Sequence, residues 1–353
     1  MKIGILTHHY VKNYGAFLQM KAMYETLKRI YPEAQVCVVN YVVGKHWLKN
    51  ILHVLHYRLG LDTPKTYFRK IRQLCLFTKY ERSLPRTKSV HSAEEINGLG
   101  LDLLILGSDE IWNFNGSGYS PLKFGYGLDT IELIAYAPSV GSVTEENDIP
   151  KEAAEGLANI CRISGRDIET VRFVKRAVDR EADKMLDPTF LYDFDPDIES
   201  EGVEPESYKY ILVYDCKLTE EMSKELRRYA DENGYKILGA GDYKLLYDKV
   251  TVDLTPYEWV ALFRHAERIV TGTFHGTVFS VKYDKPVVCY PTEKNRINKI
   301  SSLLDDMGLA ENLVKVGDEG KFIDVLKVRP SFTRAHQYIE EMQQRAGQFL
   351  RVK

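Results

Sequence analysis

The first forty residues show two different spacings of apolar side chains, one typical of strands and one typical of a helix. Lys2–Thr7 is a short apolar run typical of a buried strand, and a polar loop follows it up to Gly15. From Ala16 to Ile30 the apolar residues recur at helical spacing, and Ala34–Tyr41 is predicted as a second strand. Strand, loop, helix and strand in this order form a βαβ unit, which predicts a parallel sheet.

Alternating strands and helices are predicted through most of the remaining chain. The further predicted strands are Leu101–Gly107, Glu132–Pro138, Tyr208–Tyr214, Tyr235–Leu238, Lys249–Val252, Arg268–Thr271 and Pro286–Tyr290. The alternation stops in an acidic stretch that contains proline and glycine, residues 193–207, and restarts at Tyr208. A break of this composition predicts a linker between two α/β domains.

The predicted organisation is α/β, with two facing Rossmann-like domains and an interdomain cleft. Residues 1–195 form the first domain, which includes a basic helical insertion over about 45–90, and residues 196–207 form the acidic linker. Residues 208–330 form the second domain, and residues 331–353 form a polar C-terminal helix on the surface. In open parallel sheets ligands bind beyond the carboxyl ends of the strands, so functional side chains are expected to follow strands.

Composition argues against several classes of protein. The 353 residues include 48 Lys and Arg against 50 Asp and Glu, so the formal net charge is −2, and a nucleic-acid binder is not predicted. The five cysteines are scattered singly, which favours a reducing cytoplasm over a disulfide framework or a cysteine-based zinc site. No apolar run is long enough for a membrane span, and no metal site is predicted.

The predicted insertion carries a large excess of positive charge. Between Lys45 and Lys88 there are eleven Lys and Arg residues against two acids, interleaved with aromatic and leucine side chains. One interpretation is a pair of amphipathic helices with a solvated basic face. The other is a surface that contacts an anionic acceptor or anionic lipid, which would place the protein at the inner face of the cell membrane.

The segment around His275 is the sharpest candidate for a functional site. A buried strand is predicted to end at Thr271, and His275 then falls in the first turn of a helix, flanked by Thr273, Gly276 and Thr277. Backbone N–H groups at a helix start favour an anion such as phosphate or carboxylate. A histidine there can donate to that anion or move a proton. The alternative is a histidine that only caps the turn.

Five further candidates follow predicted strands of the first domain. Arg166 opens a helix, where it can bind a carboxylate or pair with Asp167 or a neighbouring helix. Asp109, next to Ser108, is either a general base for a hydroxyl or the N-cap of a turn that buries Trp112. Asn13 and Gly15 follow the first strand, and Gly15 permits close approach of the backbone to a ligand. These candidates are accompanied by no Walker A, G-x-S-x-G, kinase, H-E-x-x-H or G-x-G-x-x-G motif, so a dinucleotide is not expected.

Five blocks of the sequence together resemble the polysaccharide pyruvyl transferase family. The blocks are Lys2–Leu6 with Asn13–Ala16, Gly107–Asn113, Ala135–Gly141, Ile163–Asp167 with Asp187–Thr189, and Thr273–Thr277. They occur in the family's order and span residues 2 to about 290. The resemblance implies two Rossmann-like domains of the GT-B type. It also implies transfer of the enolpyruvyl unit of phosphoenolpyruvate onto a sugar as a ketal, as in exopolysaccharide synthesis.

The family chemistry requires a general acid, cations for a phosphate and a carboxylate, and a base for hydroxyls. Protonation of the methylene carbon of phosphoenolpyruvate creates an oxocarbenium-like centre at C2, which a sugar hydroxyl attacks. A second hydroxyl then displaces phosphate and closes the ketal. His275, together with Arg166 and Asp109, has the side-chain chemistry to fill these roles. Phosphoenolpyruvate is then a donor substrate, and no separate cofactor is expected.

Two positions depart from the family pattern. Several characterised members have an arginine where this chain has Thr273, and a glutamine is usual where Glu110 stands. The missing positive charge would then come from Arg166, Arg264 or Arg296. One alternative function on the same fold is a glycosyltransferase that uses a nucleotide sugar. Another is a non-catalytic family member that binds glycan or a partner protein. The expected acceptor is a sugar or a lipid-linked glycan.

Overall fold

A computed structural model describes residues 1–59, 62–129 and 131–352 of the chain. They divide into two compact units. The first unit contains residues 1–54, 78–192 and 340–353, and the second contains residues 55–77 and 193–339. Both units are built on a wholly parallel sheet, as the βαβ pattern predicts.

The first unit is organised around a seven-stranded sheet. Its strands are β1 (Lys2–Leu6), β2 (Gln35–Tyr41), β3 (Arg86–Val90), β4 (Leu103–Leu106), β5 (Glu132–Ala135), β6 (Arg162–Gly165) and β7 (Asp183–Lys184), in the spatial order β3-β2-β1-β4-β5-β6-β7. The helices along this part of the chain are α1 (Tyr14–Ile30), α2 (Gly44–Leu55), α3 (Pro64–Glu81), α4 (Ala93–Asn97), α5 (Lys151–Ala158) and α6 (Ile168–Val178). All four residues of the central strand β4 are buried, because a parallel strand is covered on both faces.

The second unit is organised around a four-stranded sheet. Its strands are β8 (Tyr210–Tyr214), β9 (Lys236–Gly239), β10 (Arg268–Thr271) and β11 (Val287–Cys289), in the order β11-β10-β8-β9. The helices are α7 (Asp195–Ser200), α8 (Glu220–Glu232), α9 (Pro256–His265), α10 (Phe274–Lys282), α11 (Lys294–Asp306), α12 (Phe322–Lys327) and α13 (Thr333–Leu350). Helix α9 begins at a full capping box, in which Thr255 and Glu258 satisfy each other's backbone N–H groups.

The predicted acidic linker, residues 196–207, is partly helical. Asp195 and Asp197 lie in the first turn of α7, where carboxylates are favoured by the helix dipole, and Pro196 fits that turn because it needs no hydrogen-bond partner there. Ile198 is buried. The unit boundary falls at residue 193, within the predicted first domain of 1–195.

The predicted insertion over about 45–90 does not belong to a single unit. Residues 55–77 cluster with the second unit, because Arg69 and Arg72 both pair with Asp253. The insertion also contains a strand, β3, which lies at the edge of its sheet. Edge strands carry polar residues, so the sequence of β3 lacks the apolar pattern that predicts a strand. Gly60 and Leu61 lie outside the described residues.

The ends of the chain and one predicted strand also differ in detail from the expectations. Lys249–Val252 forms no strand, only an isolated bridge from Lys249 to Leu238. The polar C-terminal helix corresponds to α13, which buries an apolar face that includes Met342 and Leu350. Its last part belongs to the first unit, where the Tyr31 hydroxyl donates to the Leu350 carbonyl at 2.9 Å. None of the helices within the described residues is long and apolar enough to cross a bilayer.

Candidate functional site

The order of the strands marks one position in each sheet where a ligand is expected. In open parallel sheets this position lies at the carboxyl ends of the two neighbouring strands from which the chain moves off in opposite directions. It falls between β1 and β4 in the first unit and between β8 and β10 in the second. Most of the candidate residues lie directly after these four strands.

In the second unit, the segment after β10 carries His275. This half-buried residue is the second residue of α10, in the first helical turn as predicted. Thr273 caps the helix, since its Oγ1 accepts from the Gly276 N–H at 3.0 Å. The Thr277 hydroxyl donates to the Thr273 carbonyl at 2.9 Å and is fully buried. Thr273 and Thr277 therefore build the turn that presents His275.

Two glycines allow this turn to pack closely against its surroundings. A Cβ atom at Gly276 would lie 2.0 Å from the Thr271 Oγ1 atom. A Cβ atom at Gly272 would lie 2.8 Å from the carbonyl oxygen of Asp215, the residue that follows β8. The loop after β10 thus lies directly against the end of β8, at the expected ligand position of this unit.

Arg296 pairs with Asp215, the residue against which this loop packs. Its Nη1 atom lies 2.9 Å from the Asp215 carboxylate, and its Nε atom lies 3.3 Å from Glu293. Burial alone would lower the pKa of Arg296, but these carboxylates raise it. Arg264, the other candidate here, pairs with Asp195 at 3.0 Å. The Arg296 pair is partly exposed, so an anion in solution can compete for its guanidinium.

In the first unit, Ser108 and Asp109 follow β4, and His8 follows β1. The Ser108 side chain is buried and donates to the Ala137 carbonyl at 2.5 Å. Asp109 is more accessible, with 19% of its side chain exposed, and its Oδ2 atom lies 4.0 Å from Nδ1 of His8. Its Oδ1 atom accepts from the Glu110 N–H at 2.8 Å. Asp109 thus anchors a turn and still presents one carboxylate oxygen beside a histidine.

Asn13 and Gly15 take part in starting α1. Asn13 is its N-cap, and the Asn13 Oδ1 atom accepts from the Ala16 N–H at 3.2 Å. Gly15 is buried in the first turn of the helix. The geometry therefore gives both residues a structural task in the loop after β1.

Arg166 is placed differently from the expectation that it opens towards a ligand. Its side chain is 3% exposed, and its Nη1 atom lies 2.9 Å from Oδ2 of Asp187. Burial lowers the pKa of Arg166, but the carboxylates of Asp187 and Asp109, with Asp167 and Glu110, raise it overall. A guanidinium surrounded by four acids is a poor site for a further anion. The geometry favours a structural ion pair, formed with Asp187 rather than with the neighbouring Asp167.

The Asp187 carboxylate is fully buried and saturated with donors. The Thr189 N–H and hydroxyl donate to its Oδ1 atom at 3.0 and 2.7 Å, and the Gln19 amide donates to Oδ2 beside Arg166. Gln19 also contacts the Ser108 hydroxyl at 3.4 Å. This network connects α1, β4 and β6 beneath the accessible Asp109.

The structure also assembles a cluster that the sequence interpretation missed. We call it the histidine–lysine cluster, and its members are His8, Tyr10, His46, Asp109 and Lys123. The Tyr10 hydroxyl lies 3.2 Å from Nδ1 of His46 and 3.5 Å from Nζ of Lys123. The rings of His8 and His46 pack edge to face, with centroids 4.9 Å apart.

Burial lowers the proton affinity of the nitrogen groups in this cluster. It lowers the pKa of His8 well below its usual value and that of His46 to about 4. It also lowers the pKa of Lys123 to about 7, although the nearby Asp109 carboxylate opposes this. Near neutral pH the two imidazoles are therefore uncharged. Among the described residues, no three His, Cys, Asp or Glu side chains are arranged to hold a metal ion.

Solved structures with a similar fold come from sugar-nucleotide enzymes and related proteins. UDP-GlcNAc 2-epimerase from Neisseria meningitidis, solved with UDP-GlcNAc bound, is 11% identical, with a TM-score of 0.50, and 98% of this chain and 94% of that chain are covered. UGT89C1 from Arabidopsis thaliana is 10% identical, with a TM-score of 0.50 and the same coverage of both chains. Likeness at this identity shows the fold alone, and it confirms the predicted GT-B-like class.

At the level of sequence, no curated protein matches the chain. The model of one family, polysaccharide pyruvyl transferase, matches residues 13–294. The match begins at the N-cap of α1, includes Asp109 and His275, and extends to the start of α11. It covers most of the chain and both units. The chain belongs to the polysaccharide pyruvyl transferase family.

Proposed function

We propose that this protein transfers the enolpyruvyl group of phosphoenolpyruvate onto a sugar hydroxyl of a cell-surface polysaccharide precursor and forms a pyruvate ketal. The observation that carries the proposal is the position of His275. It lies in the first turn of α10, at the ligand-binding end of the second sheet, in a chain of this family. A helix start favours an anion, and an imidazole can supply a proton at that position.

In this proposal the second unit binds the donor. His275 protonates the methylene carbon, and the positive end of the α10 helix dipole lies near the phosphate. Arg296 replaces the arginine that several family members have at the position of Thr273. It exchanges one of its partly exposed carboxylate partners for the anion.

The first unit binds the acceptor in the same proposal. The Asp109 side chain is partly exposed and lies beside His8. A base for a sugar hydroxyl has to be accessible to the substrate and able to pass on a proton. Ser108 holds the backbone beneath it through the Ala137 contact. Asn13 and Gly15 fix the adjacent start of α1.

The test is to incubate the purified protein with phosphoenolpyruvate and lipid-linked or nucleotide-linked sugars. We expect phosphate release that depends on the acceptor and a matching ketal product. Binding of a free nucleotide sugar with phosphoenolpyruvate inert would instead indicate a glycosyltransferase. Glycan binding with no turnover of either donor would indicate a non-catalytic member.

A lipid-linked acceptor would place the protein at the inner face of the membrane, and helix α2 supports this part of the proposal. None of its residues is buried, and Trp47, Leu48 and Leu52 are 42%, 51% and 59% exposed. Lys45 and Lys49 lie on the same helix, and among the described residues neither has a carboxylate within 4.0 Å. By contrast, Arg69 and Arg72 of α3 pair with Asp253. Exposed apolar and basic side chains on one helix suit an anionic lipid surface, at roughly 1 kcal/mol per cation.

Vesicle flotation tests this contact. We expect binding to vesicles that contain phosphatidylglycerol, loss of binding at high salt, and no binding to phosphatidylcholine alone. Leu52→Ser should weaken flotation. Leu245→Ser, at a leucine of the second unit that is 79% exposed, should not. Equal and negligible binding to both vesicle types would leave α2 as ordinary solvated surface.

A further inference from the structure

Lys123 has surroundings that packing alone does not explain. Its side chain is completely buried, and its ammonium donates to the Gly118 carbonyl at 2.8 Å and to the Tyr10 hydroxyl at 3.5 Å. Within the described parts of the chain, no carboxylate oxygen lies within 4.0 Å of its Nζ atom. A buried ammonium without a paired carboxylate is destabilising relative to an apolar side chain of the same shape.

Contacts of the neighbouring residues fix the backbone around Lys123. The indole of Trp112, itself fully buried, donates to the Lys123 carbonyl at 2.8 Å. The ring of Phe124, the next residue, stacks on that indole at 5.6 Å. The backbone of Gly118 packs against both imidazoles, since a Cβ there would lie 2.7 Å from His46 and 3.0 Å from His8.

The histidine–lysine cluster becomes more exposed from Lys123 outwards. Tyr10 is 3% and His8 is 7% exposed, and His46 is half-buried. Asp109 is more open to solvent than His8, with 19% of its side chain exposed. A substrate can therefore reach Asp109, whereas Lys123 can act only through the residues in between.

We propose that the histidine–lysine cluster is the proton-accepting site for the acceptor sugar, with Asp109 and His8 receiving the hydroxyl proton and Lys123 acting as a positioning residue behind them. This inference rests on the proposed function and adds the residues behind Asp109 to the acceptor half of the reaction. The ligand class is a sugar that presents a hydroxyl to Asp109. The base is the Asp109–His8 pair, and Tyr10 and His46 connect it to Lys123.

The proton balance of the transfer is consistent with such a site. The attacking hydroxyl loses its proton to Asp109 or His8 as its oxygen bonds to C2. The second hydroxyl loses its proton as phosphate departs from C2. One proton is taken up by the methylene carbon, which becomes a methyl group, and the other leaves with the phosphate. The cluster accepts a hydroxyl proton and releases it within each turnover, so no redox partner is needed.

The titratable and charged groups that face Lys123 come from several elements. Asp109 follows β4, and His8, His9 and Tyr10 follow β1, while His46 lies on α2. Burial lowers the pKa of Lys123 to about 7 and that of His9 to about 4. Loss of the ammonium charge removes one of the effects that lower the pKa of His8, so that His8 accepts a proton more readily.

The experiment measures phosphate release from phosphoenolpyruvate against pH, with an acceptor that the wild-type protein uses. We expect kcat/KM for the acceptor to rise with pH through a midpoint near 7. Lys123→Met, which carries no charge at any pH, should remove this limb, with the Kd for phosphoenolpyruvate unchanged. Lys21→Met, at a lysine of α1 that pairs with Glu25 at 2.7 Å, is the matched control and should behave as wild type.

Two further measurements keep the test decisive if Lys123→Met does not fold. His46→Asn, at the half-buried end of the cluster, should move the same limb of the pH profile. In wild-type protein labelled at the lysine side chain, NMR should show a lysine that titrates near pH 7 and shifts in His46→Asn. An unchanged limb in the variants, or no such lysine, would overturn the inference. Failure of the wild type to bind or turn over phosphoenolpyruvate would instead refute the proposed donor. The NMR measurement does not depend on the donor, so it would then decide whether the lysine titrates within the cluster.

Discussion

The Nη1 atom of Arg166 lies 2.9 Å from Oδ2 of Asp187, and both side chains are almost completely removed from solvent. The two residues are 21 positions apart and belong to one of the sequence blocks that resemble the family. Their pairing beneath Asp109 makes the block a structural support for the site in the first unit.

We expect the Arg166–Asp187 pair to contribute to the stability of the fold and not to the binding of phosphoenolpyruvate. Arg166→Met leaves a buried carboxylate with fewer partners, so we expect the free energy of unfolding to fall by about 3–5 kcal/mol. Urea denaturation measures this change. Arg345→Met breaks an exposed pair with Asp183 and should cost about 0–1 kcal/mol. A stable Arg166→Met protein that no longer binds phosphoenolpyruvate would instead show that Arg166 contributes to donor binding.

Gly276 should tolerate no side chain. In Gly276→Ala the new Cβ would collide with the Thr271 hydroxyl, which is fixed by a 3.0 Å bond to the Tyr214 carbonyl. We expect a loss of about 1–3 kcal/mol in unfolding free energy. Gly347→Ala is the matched control, because it lies in α13 with no atom within 4 Å of its Cβ position. It should gain about 0.5–1 kcal/mol, and equal effects of the two substitutions would contradict the packing argument.

Asp242, which follows β9, should make stability depend on pH. Burial raises its pKa to about 6, despite the opposing charge of Lys244. The folded state then holds a proton that the unfolded state has released between about pH 4 and pH 6, so the free energy of unfolding falls as pH rises through this window. This change in unfolding free energy should be roughly 1–3 kcal/mol between pH 4 and pH 7, and it should disappear in Asp242→Asn.

Urea denaturation of wild type and Asp242→Asn across pH 4–7 checks this expectation. Asp318→Asn, at a carboxylate that is 49% exposed, is the control and should follow the wild type. Parallel pH profiles for wild type and Asp242→Asn would show that the buried carboxyl contributes nothing of this kind.

The local parts of the fold could be predicted from the sequence. The run from Lys2 to Ile30 and the strand, turn and helix around His275 each follow from a short-range period and a glycine or a cap. The sequence does not predict edge strand β3, because exposed strands carry polar residues. It wrongly predicts a strand at Lys249–Val252, because the β-branched residues of that segment are typical of strands.

The long-range parts of the site could not be predicted. Lys123 has no distinguishing period or motif, and it becomes notable only when the fold brings Tyr10, which lies 113 positions earlier, within 3.5 Å. The choice of Asp187 over Asp167 as the partner of Arg166 likewise depends on how β6 and the following turn pack. Burial and unmatched charge are properties of the folded chain, and the sequence pattern alone does not contain them.

The most direct test of the proposed function follows the pyruvyl group itself. Wild-type protein, His275→Asn and the control His336→Asn, at an exposed histidine of α13, are incubated with labelled phosphoenolpyruvate and an acceptor glycan. We predict one labelled ketal per phosphate released by wild type and His336→Asn, and a rate about 10²–10⁴-fold lower in His275→Asn with unchanged unfolding free energy. Full activity of His275→Asn, or phosphate release without label on the glycan, would contradict the account.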